Sequence, residues 1–317
     1  MKVFLSVPVK SVIHITKYFM NSAYISGFII MTQIAVSCNK SNVVVNNELK
    51  DWRLQGALKS VSETNYSNTG KYTTFLLFRP NGFIQEQSAF NPDGSLIRRW
   101  IFEYNSRNQK LTRSCYVLND SLSGILHYSY NKHDKIVEEK LLNPQGELIS
   151  DTEYEYDVTQ NEIERRFLNE NTKIQGRIIF RYDDKKNVIE EIHIDSVLRQ
   201  RWKQENKYNR KGLNVEILYL SLKDSLIKKS TYTYLSNKQV GEACFYSGKN
   251  ELISKTTYQY DKYLNTTGKI IFYVPDKKIE KHIFVYEYDE NNNWTSRKEY
   301  INNEIDDIIT RKLEYYK

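Results

Sequence analysis

Tyr154-Glu155-Tyr156-Asp157 is one copy of a pattern that returns along most of the chain at a nearly constant step. With the second aromatic as anchor, the series runs Phe78, Tyr104, Tyr130, Tyr156, Tyr182, Tyr208, Tyr234, Tyr260, Tyr288 and Tyr315. The first seven steps are 26 residues, and the last two are 28 and 27. A step this regular predicts an array of small units, each of which buries its apolar face only against its neighbours.

Positions inside one unit alternate. Two residues before the anchor stand Phe102, Tyr128, Tyr154, Phe180, Asn206, Tyr232, Tyr258 and Tyr286, and eight before it Leu96, Leu122, Leu148, Ile174, Gln200, Leu226 and Leu252. Even separations place them on one face of an extended strand, with polar residues such as Asp151, Glu153 and Glu155 between them. A second strand follows each anchor, with Leu111, Val137, Ile163, Ile189 and Val215 seven residues on. Cys115, Leu141, Phe167, His193, Tyr219, Phe245 and Ile271 stand eleven on. These rows are assigned to the aromatic face. Another apolar row, Tyr116, Leu142, Leu168, Ile194, Leu220, Tyr246, Phe272 and Tyr300, stands twelve residues on and predicts strand ends covered on both sides.

Asn91-Pro92-Asp93-Gly94 and Asn143-Pro144-Gln145-Gly146 carry turn chemistry between the strands, so each unit reads as one β-hairpin. A four-residue loop pairs positions thirteen apart. Glu138, Glu164, Glu190, Glu216 and Glu242 would then face Asp151, Arg177, Lys203, Lys229 and Lys255, four of five with opposite charge. Exposed pairs contribute about 0.2–1 kcal/mol each, whereas burying one large apolar side chain contributes about 1.5–3 kcal/mol. Burial therefore drives the fold, and charge at most selects the register. The fold class is all-β: a long coiled antiparallel meander of about eighteen strands with its aromatic face inward, either closed or open. The stretch from Ala57 to Tyr66 reads as an extra leading strand and a candidate cap.

Residues 1–37 read as an export signal. Their only charges are Lys2, Lys10 and Lys17, and an apolar run from Tyr24 to Val36 ends in Ala35-Val36-Ser37-Cys38. That ending resembles a bacterial lipobox, which implies acylation of Cys38 and a membrane partner through it; Met1 and Met20 are alternative starts. Residues 38–50 are polar and aperiodic and read as a flexible tether, and 51–317 as a single repeat domain. The full chain carries 46 Lys and Arg against 39 Asp and Glu. Without residues 1–37 the balance is 43 against 39, with signs interleaved, which does not fit the concentrated basic stripe of a nucleic-acid binder. Cys115 and Cys244, five repeats apart, are not expected to form a disulfide.

Tyr156-Asp157, Tyr182-Asp183, Tyr260-Asp261 and Tyr288-Asp289 make the chain resemble the YD-repeat, or Rhs-like, proteins. Tyr286-Glu287-Tyr288-Asp289-Glu290-Asn291-Asn292-Asn293-Trp294 is similar to the degenerate repeats of cell-envelope lipoproteins of that kind. The resemblance implies a repeat architecture at the bacterial cell envelope and no particular reaction. At the family's glycine position, four after the tyrosine, this chain has Gly212, with Asn108, Asp134 and Asn292 as substitutes.

No His among His14, His127, His133, His193 and His282 has a partner at metal-ligand spacing, and no phosphate loop or nucleophile elbow occurs. The aspartate that follows Tyr156, Tyr182, Tyr260 and Tyr288 is expected to cap a turn rather than to supply a glycosidase carboxylate. The reading is a non-enzymatic, cofactor-free, lipid-anchored scaffold that binds a protein or a glycan along its surface at the outer membrane. Trp100 and Trp202, on the parity of the tyrosine row, are the candidate sugar-stacking residues. The alternatives are a carbohydrate-binding or processing accessory protein and an immunity or antitoxin-like partner of a YD-repeat protein.

Overall fold

Twenty antiparallel strands, joined in chain order, close into one barrel in the computed structural model, which describes residues 48–50, 52–67 and 70–317. The export signal, Cys38 and most of the expected tether lie outside the described residues. The strands are β1 (Leu58–Ser67), β2 (Gly70–Phe78), β3 (Ile84–Phe90), β4 (Leu96–Tyr104), β5 (Lys110–Val117), β6 (Ser121–Tyr130) and β7 (Ile136–Leu142). They continue as β8 (Leu148–Tyr156), β9 (Glu162–Asn169), β10 (Ile174–Tyr182), β11 (Val188–Asp195), β12 (Gln200–Tyr208), β13 (Asn214–Ser221) and β14 (Leu226–Tyr234). The last six are β15 (Val240–Tyr246), β16 (Leu252–Tyr260), β17 (Thr266–Tyr273), β18 (Lys278–Tyr288), β19 (Trp294–Ile301) and β20 (Glu304–Tyr315).

The expected eighteen strands are therefore twenty, because the leading strand β1 and the chain's last strand both join the sheet. Instead of capping a stack, β1 pairs with β2 on one side and with β20 on the other, with Val61 opposite Leu313 and Thr64 opposite Thr310. Among the described residues, closure leaves no edge strand to pair with another chain.

The register differs from the expected one by two residues. Glu138 lies opposite Glu153 rather than Asp151, and Glu190 opposite Glu205 rather than Lys203. Most turns hold three residues rather than four: Asn143 N–H bonds the Glu147 carbonyl (2.9 Å), Gly146 N–H bonds the Asn143 carbonyl (3.0 Å), and Gly146 is left-handed (φ 84°). A one-residue bulge follows, since Leu142 faces Leu148 but Leu141 faces Ser150. Turn and bulge together move the register by two, which keeps every side chain on its face. The β11–β12 and β17–β18 hairpins reach the same register with four-residue turns and no bulge. The expected ion pairs partly survive as diagonal neighbours: Arg177–Glu164 at 3.5 Å, Lys203–Glu190 at 3.9 Å and Lys255–Glu242 at 2.6 Å. Glu216 instead pairs with Lys207 (2.6 Å), while Lys229 sits over the Tyr246 ring (4.1 Å).

The backbone four residues after the anchor is left-handed in every hairpin with this turn. Gly82 joins Gly212 there, and Asn108, Asp134, Gln160, Lys186, Lys238, Leu264 and Asn292 adopt the same conformation with positive φ. A side chain in this region costs about 1–2 kcal/mol, so Lys186→Gly, at an exposed position, is expected to stabilise the fold by about 0.5–1 kcal/mol after the added unfolded-state entropy is subtracted. Urea unfolding measures this; a loss of stability would mean that the turn gains more from the lysine side chain than its backbone conformation costs.

The N-terminal segment shows which face is concave. Glu48 accepts hydrogen bonds from Ile84 N–H (2.6 Å) and the Tyr104 hydroxyl (3.0 Å) and pairs with Lys110 (2.7 Å), while Arg53 donates to the Leu264 carbonyl (3.1 Å). Through the β1–β20 seam, β5 and β16 are nine strand steps apart, about 43 Å along the sheet. Residues 48–50 and 52–53 form turns, with Leu54 N–H on the Leu49 carbonyl at 2.9 Å. They advance only about 10 Å, and extended side chains bring the bridge to about 35 Å. Such a bridge fits only across the inside of the curve. The segment covers the aromatic face, packing Leu49 and Leu54 with Leu58, Val61, Leu76, Phe78, Ile84 and Phe102. The aromatic face is therefore the lumen wall. The residues from Glu48 to Lys50, expected in the tether, belong to this packed segment.

Candidate functional site

The lumen is lined rather than filled. Away from the seam cluster, the wall tyrosines from Tyr128 to Tyr260 are all half-buried, so their rings keep contact with solvent. Twenty strands about 4.8 Å apart and tilted by about 40° would enclose a circular backbone section about 40 Å across.

Most anchor tyrosines donate the hydroxyl to a backbone carbonyl of the sheet. Tyr130 donates to the Lys110 carbonyl (2.9 Å), Tyr156 to Ile136 (2.7 Å), Tyr182 to Glu162 (2.6 Å), Tyr208 to Val188 (2.8 Å) and Tyr260 to Val240 (2.9 Å). Every one reaches twenty residues back, which ties each hairpin to the preceding strand. Tyr288 and Tyr315, after the longer steps, donate to the carboxylates of Asp261 and Asp289 instead. Burial pushes the phenols of Tyr130, Tyr182 and Tyr208 up to about 12, so they remain neutral donors. What the row presents to the lumen is ring surface.

The aspartate after the anchor caps its turn. One Asp157 carboxylate oxygen accepts from Thr159 N–H (2.8 Å) and Asn161 N–H (2.9 Å), and Asp183, Asp261 and Asp289 repeat the arrangement. Asn105, Asn131 and Asn209 do the same without a charge.

Trp100 and Trp202 both lie on the lumen wall, with ring faces partly taken by neighbours. Trp202 stacks on His193 (centroids 3.7 Å apart, planes 6° apart) and stands 5.7 Å from Tyr219. Trp100 has the Arg98 guanidinium over its ring (5.3 Å) and packs against the seam cluster. Cationic side chains fill similar places elsewhere: Arg165 lies between Tyr154 (5.0 Å) and Phe180 (5.8 Å) and pairs with Glu162 (2.8 Å).

Asn206 interrupts the aromatic row, and a polar patch forms around it beside Trp202. Gln204 donates to Asn206 (3.0 Å) and Glu191 (3.4 Å), Asn214 donates to Asn206 (3.1 Å), and His193 Nε2 lies 3.2 Å from Glu191. The side-chain oxygen of Asn214 is buried without a partner. The sequence signals this patch only as an Asn in an otherwise aromatic row.

A second polar cluster lies across the seam on the same wall. Arg311 pairs with Glu63 (2.8 Å) while its guanidinium sits 3.4 Å over Trp294, and Arg297 pairs with Asp307 (2.8 Å). Both ring nitrogens of His282 lie 2.8 Å from carboxylates, Glu280 and Glu299. The hydrogen bond from His282 holds the Glu280 carboxyl below its ordinary range. Among the described residues, no three His, Cys, Asp or Glu side chains gather in a way that would hold a metal. Cys115 and Cys244 are free. They pair with Trp100 on the wall and with Thr231 on the outside, so the two thiols point to opposite faces. Burial pushes both thiols up, away from nucleophilic thiolate.

No protein-family model matches the chain, and no curated protein matches it. Among solved structures it is similar to the Photorhabdus luminescens Tc holotoxin pore, at 14% identity and a TM-score of 0.40, over 83% of this chain and 16% of that one. It is also similar to a porin-like protein from Bacteroides uniformis, at 12% identity and a TM-score of 0.37, over 82% of this chain and 98% of that one. A porin-like protein from Bacteroides vulgatus matches at 10% identity and a TM-score of 0.32, with the same coverage. The chain spans 16% of the toxin chain's length.

Proposed function

We propose that this protein is a non-enzymatic, lipid-anchored scaffold of the bacterial cell envelope, of YD-repeat type, that binds an extended glycan along the wall of its barrel. The observation that carries this reading is the patch at β11–β13, where Trp202, Gln204, Asn206, Glu191 and Asn214 combine ring surface with planar hydrogen-bonding groups and one unpartnered buried acceptor. Sugar recognition uses this combination of apolar faces and fixed polar groups.

Attachment by Cys38 suits a barrel that stands at a membrane rather than across it. A transmembrane barrel needs an apolar outer band about 25 Å tall. Here the outer face carries Glu164, Arg177, Glu190, Lys203, Glu242 and Lys255 in mid-strand, and the inner face carries Arg113, Glu139, Arg165 and Glu191.

Glycan-array binding by the chain lacking residues 1–37 tests the reading. Retention is expected to fall at least ten-fold with Trp202→Ala or Gln204→Ala and to stay unchanged with Lys203→Gln on the outer face. An inert array together with a protein retained from the envelope fraction would move the reading to a protein partner. No palmitate incorporation with Cys38 intact would remove the anchor.

A further inference from the structure

The two mouths of the barrel differ in charge and in their relation to the N-terminus. Because the strands run up and down in chain order, all turns after even-numbered strands lie at one rim and all turns after odd-numbered strands at the other. The nine turns at the anchor-tyrosine rim, from 79–83 to 289–293, hold ten Lys and Arg against seven Asp and Glu. Four of those acids, Asp157, Asp183, Asp261 and Asp289, are turned back onto their own backbone N–H groups. The opposite rim, from 91–95 to 302–303, holds five Lys and Arg against seven Asp and Glu. Lys132, Lys185, Lys186, Lys211 and Lys238 are all exposed at the tips of the tyrosine rim.

The described chain also begins at that rim. Glu48 is fixed there by Ile84, Tyr104 and Lys110, and ten residue steps separate it from Cys38, a reach of about 34 Å when fully extended. We propose that the barrel stands with its tyrosine rim on an anionic lipid surface, the exposed lysines of that rim lying among headgroup phosphates while the acidic rim faces away. This rests on the lipid-anchor reading of Cys38. The short tether delivers the rim to the surface, and basic residues near an anionic bilayer add attraction that falls off within a Debye length. The orientation directs the acidic mouth of the lumen toward the compartment in which a ligand diffuses.

Lysine-labelling mass spectrometry on the full chain, reconstituted on phosphatidylcholine vesicles with and without phosphatidylglycerol, tests the orientation. With phosphatidylglycerol present, Lys132, Lys185, Lys186, Lys211 and Lys238 are expected to lose reactivity at least three-fold, while Lys173, Lys223 and Lys249 at the other rim keep theirs. Equal protection at both rims, or protection of the acidic rim, overturns the proposal. The triple variant Lys185→Glu, Lys186→Glu, Lys211→Glu is expected to lose at least three-quarters of the tyrosine-rim protection, and unchanged protection overturns the proposal as well. Palmitate labelling separates the two readings: label present with no rim protection sinks the orientation alone, whereas label absent with no protection sinks the anchor and the orientation together.

Discussion

Arg311→Ala is expected to destabilise the barrel by about 1.5–3 kcal/mol, because it leaves the half-buried Glu63 carboxylate without its charged hydrogen-bond partner. The Arg311 side chain keeps only 11% of its surface exposed, its Nε lies 2.8 Å from Glu63, and its guanidinium covers Trp294 at 3.4 Å. Burial holds the guanidinium below its ordinary range, and the Glu63 carboxylate opposes that shift. These three residues belong to β20, β1 and β19, so the ion pair closes the seam. Removing the arginine is also expected to accelerate hydrogen exchange in β1 and β20 before the rest of the sheet. A double replacement, Glu63→Leu with Arg311→Met, should recover most of the loss, since an apolar pair of similar volume avoids the desolvation of two charges. Urea unfolding of the two variants beside the unchanged chain provides the measurement. If the double variant is as unstable as Arg311→Ala, the seam depends on specific pairing rather than on the avoidance of an orphaned charge.

Phe78→Ala is the second large effect, about 3–5 kcal/mol. Phe78 occupies the anchor position that tyrosine holds elsewhere, has 0% of its surface exposed and packs with Leu49, Leu54 and Leu58. Tyr182, at the same position in the open wall, is half-buried and donates one hydrogen bond to Glu162. Its replacement by alanine is expected to cost clearly less, about 1–2 kcal/mol from partial burial and one hydrogen bond. The contrast tests where the core lies. Equal losses at Phe78 and Tyr182 would show that apolar burial is spread evenly around the wall rather than concentrated under the N-terminal segment.

The hairpin was legible residue by residue. The anchor spacing gave the strand ends, the even rows gave the aromatic face, and the aspartate after the tyrosine caps its turn through the Thr159 and Asn161 amides as expected. The row eleven residues after the anchor does share that face, with Cys115 opposite Trp100 and His193 opposite Trp202. The row twelve after it faces outward beside the cations, Tyr116 opposite Arg99 and Phe272 opposite Lys255. Of the candidate sites, Trp100 and Trp202 were legible from parity alone. Their stacking neighbours Arg98 and His193 depend on pairing across strands, and so does the polar patch around Asn206.

Local alternation thus determined the element type, the face of each side chain and the repeat, because a strand's period of two is written into neighbouring residues. Tertiary structure alone decided the register, the closure and the seam. A two-residue shift leaves every side chain on its own face, so no pattern of apolar residues distinguishes Glu138 opposite Asp151 from Glu138 opposite Glu153. Closure is a property of the whole sheet, helped by the bulges that add twist to most of its hairpins. The contacts that complete it, Glu63 with Arg311 and Gln55 with Asn293, join residues 248 and 238 positions apart, a distance over which no local periodicity carries information.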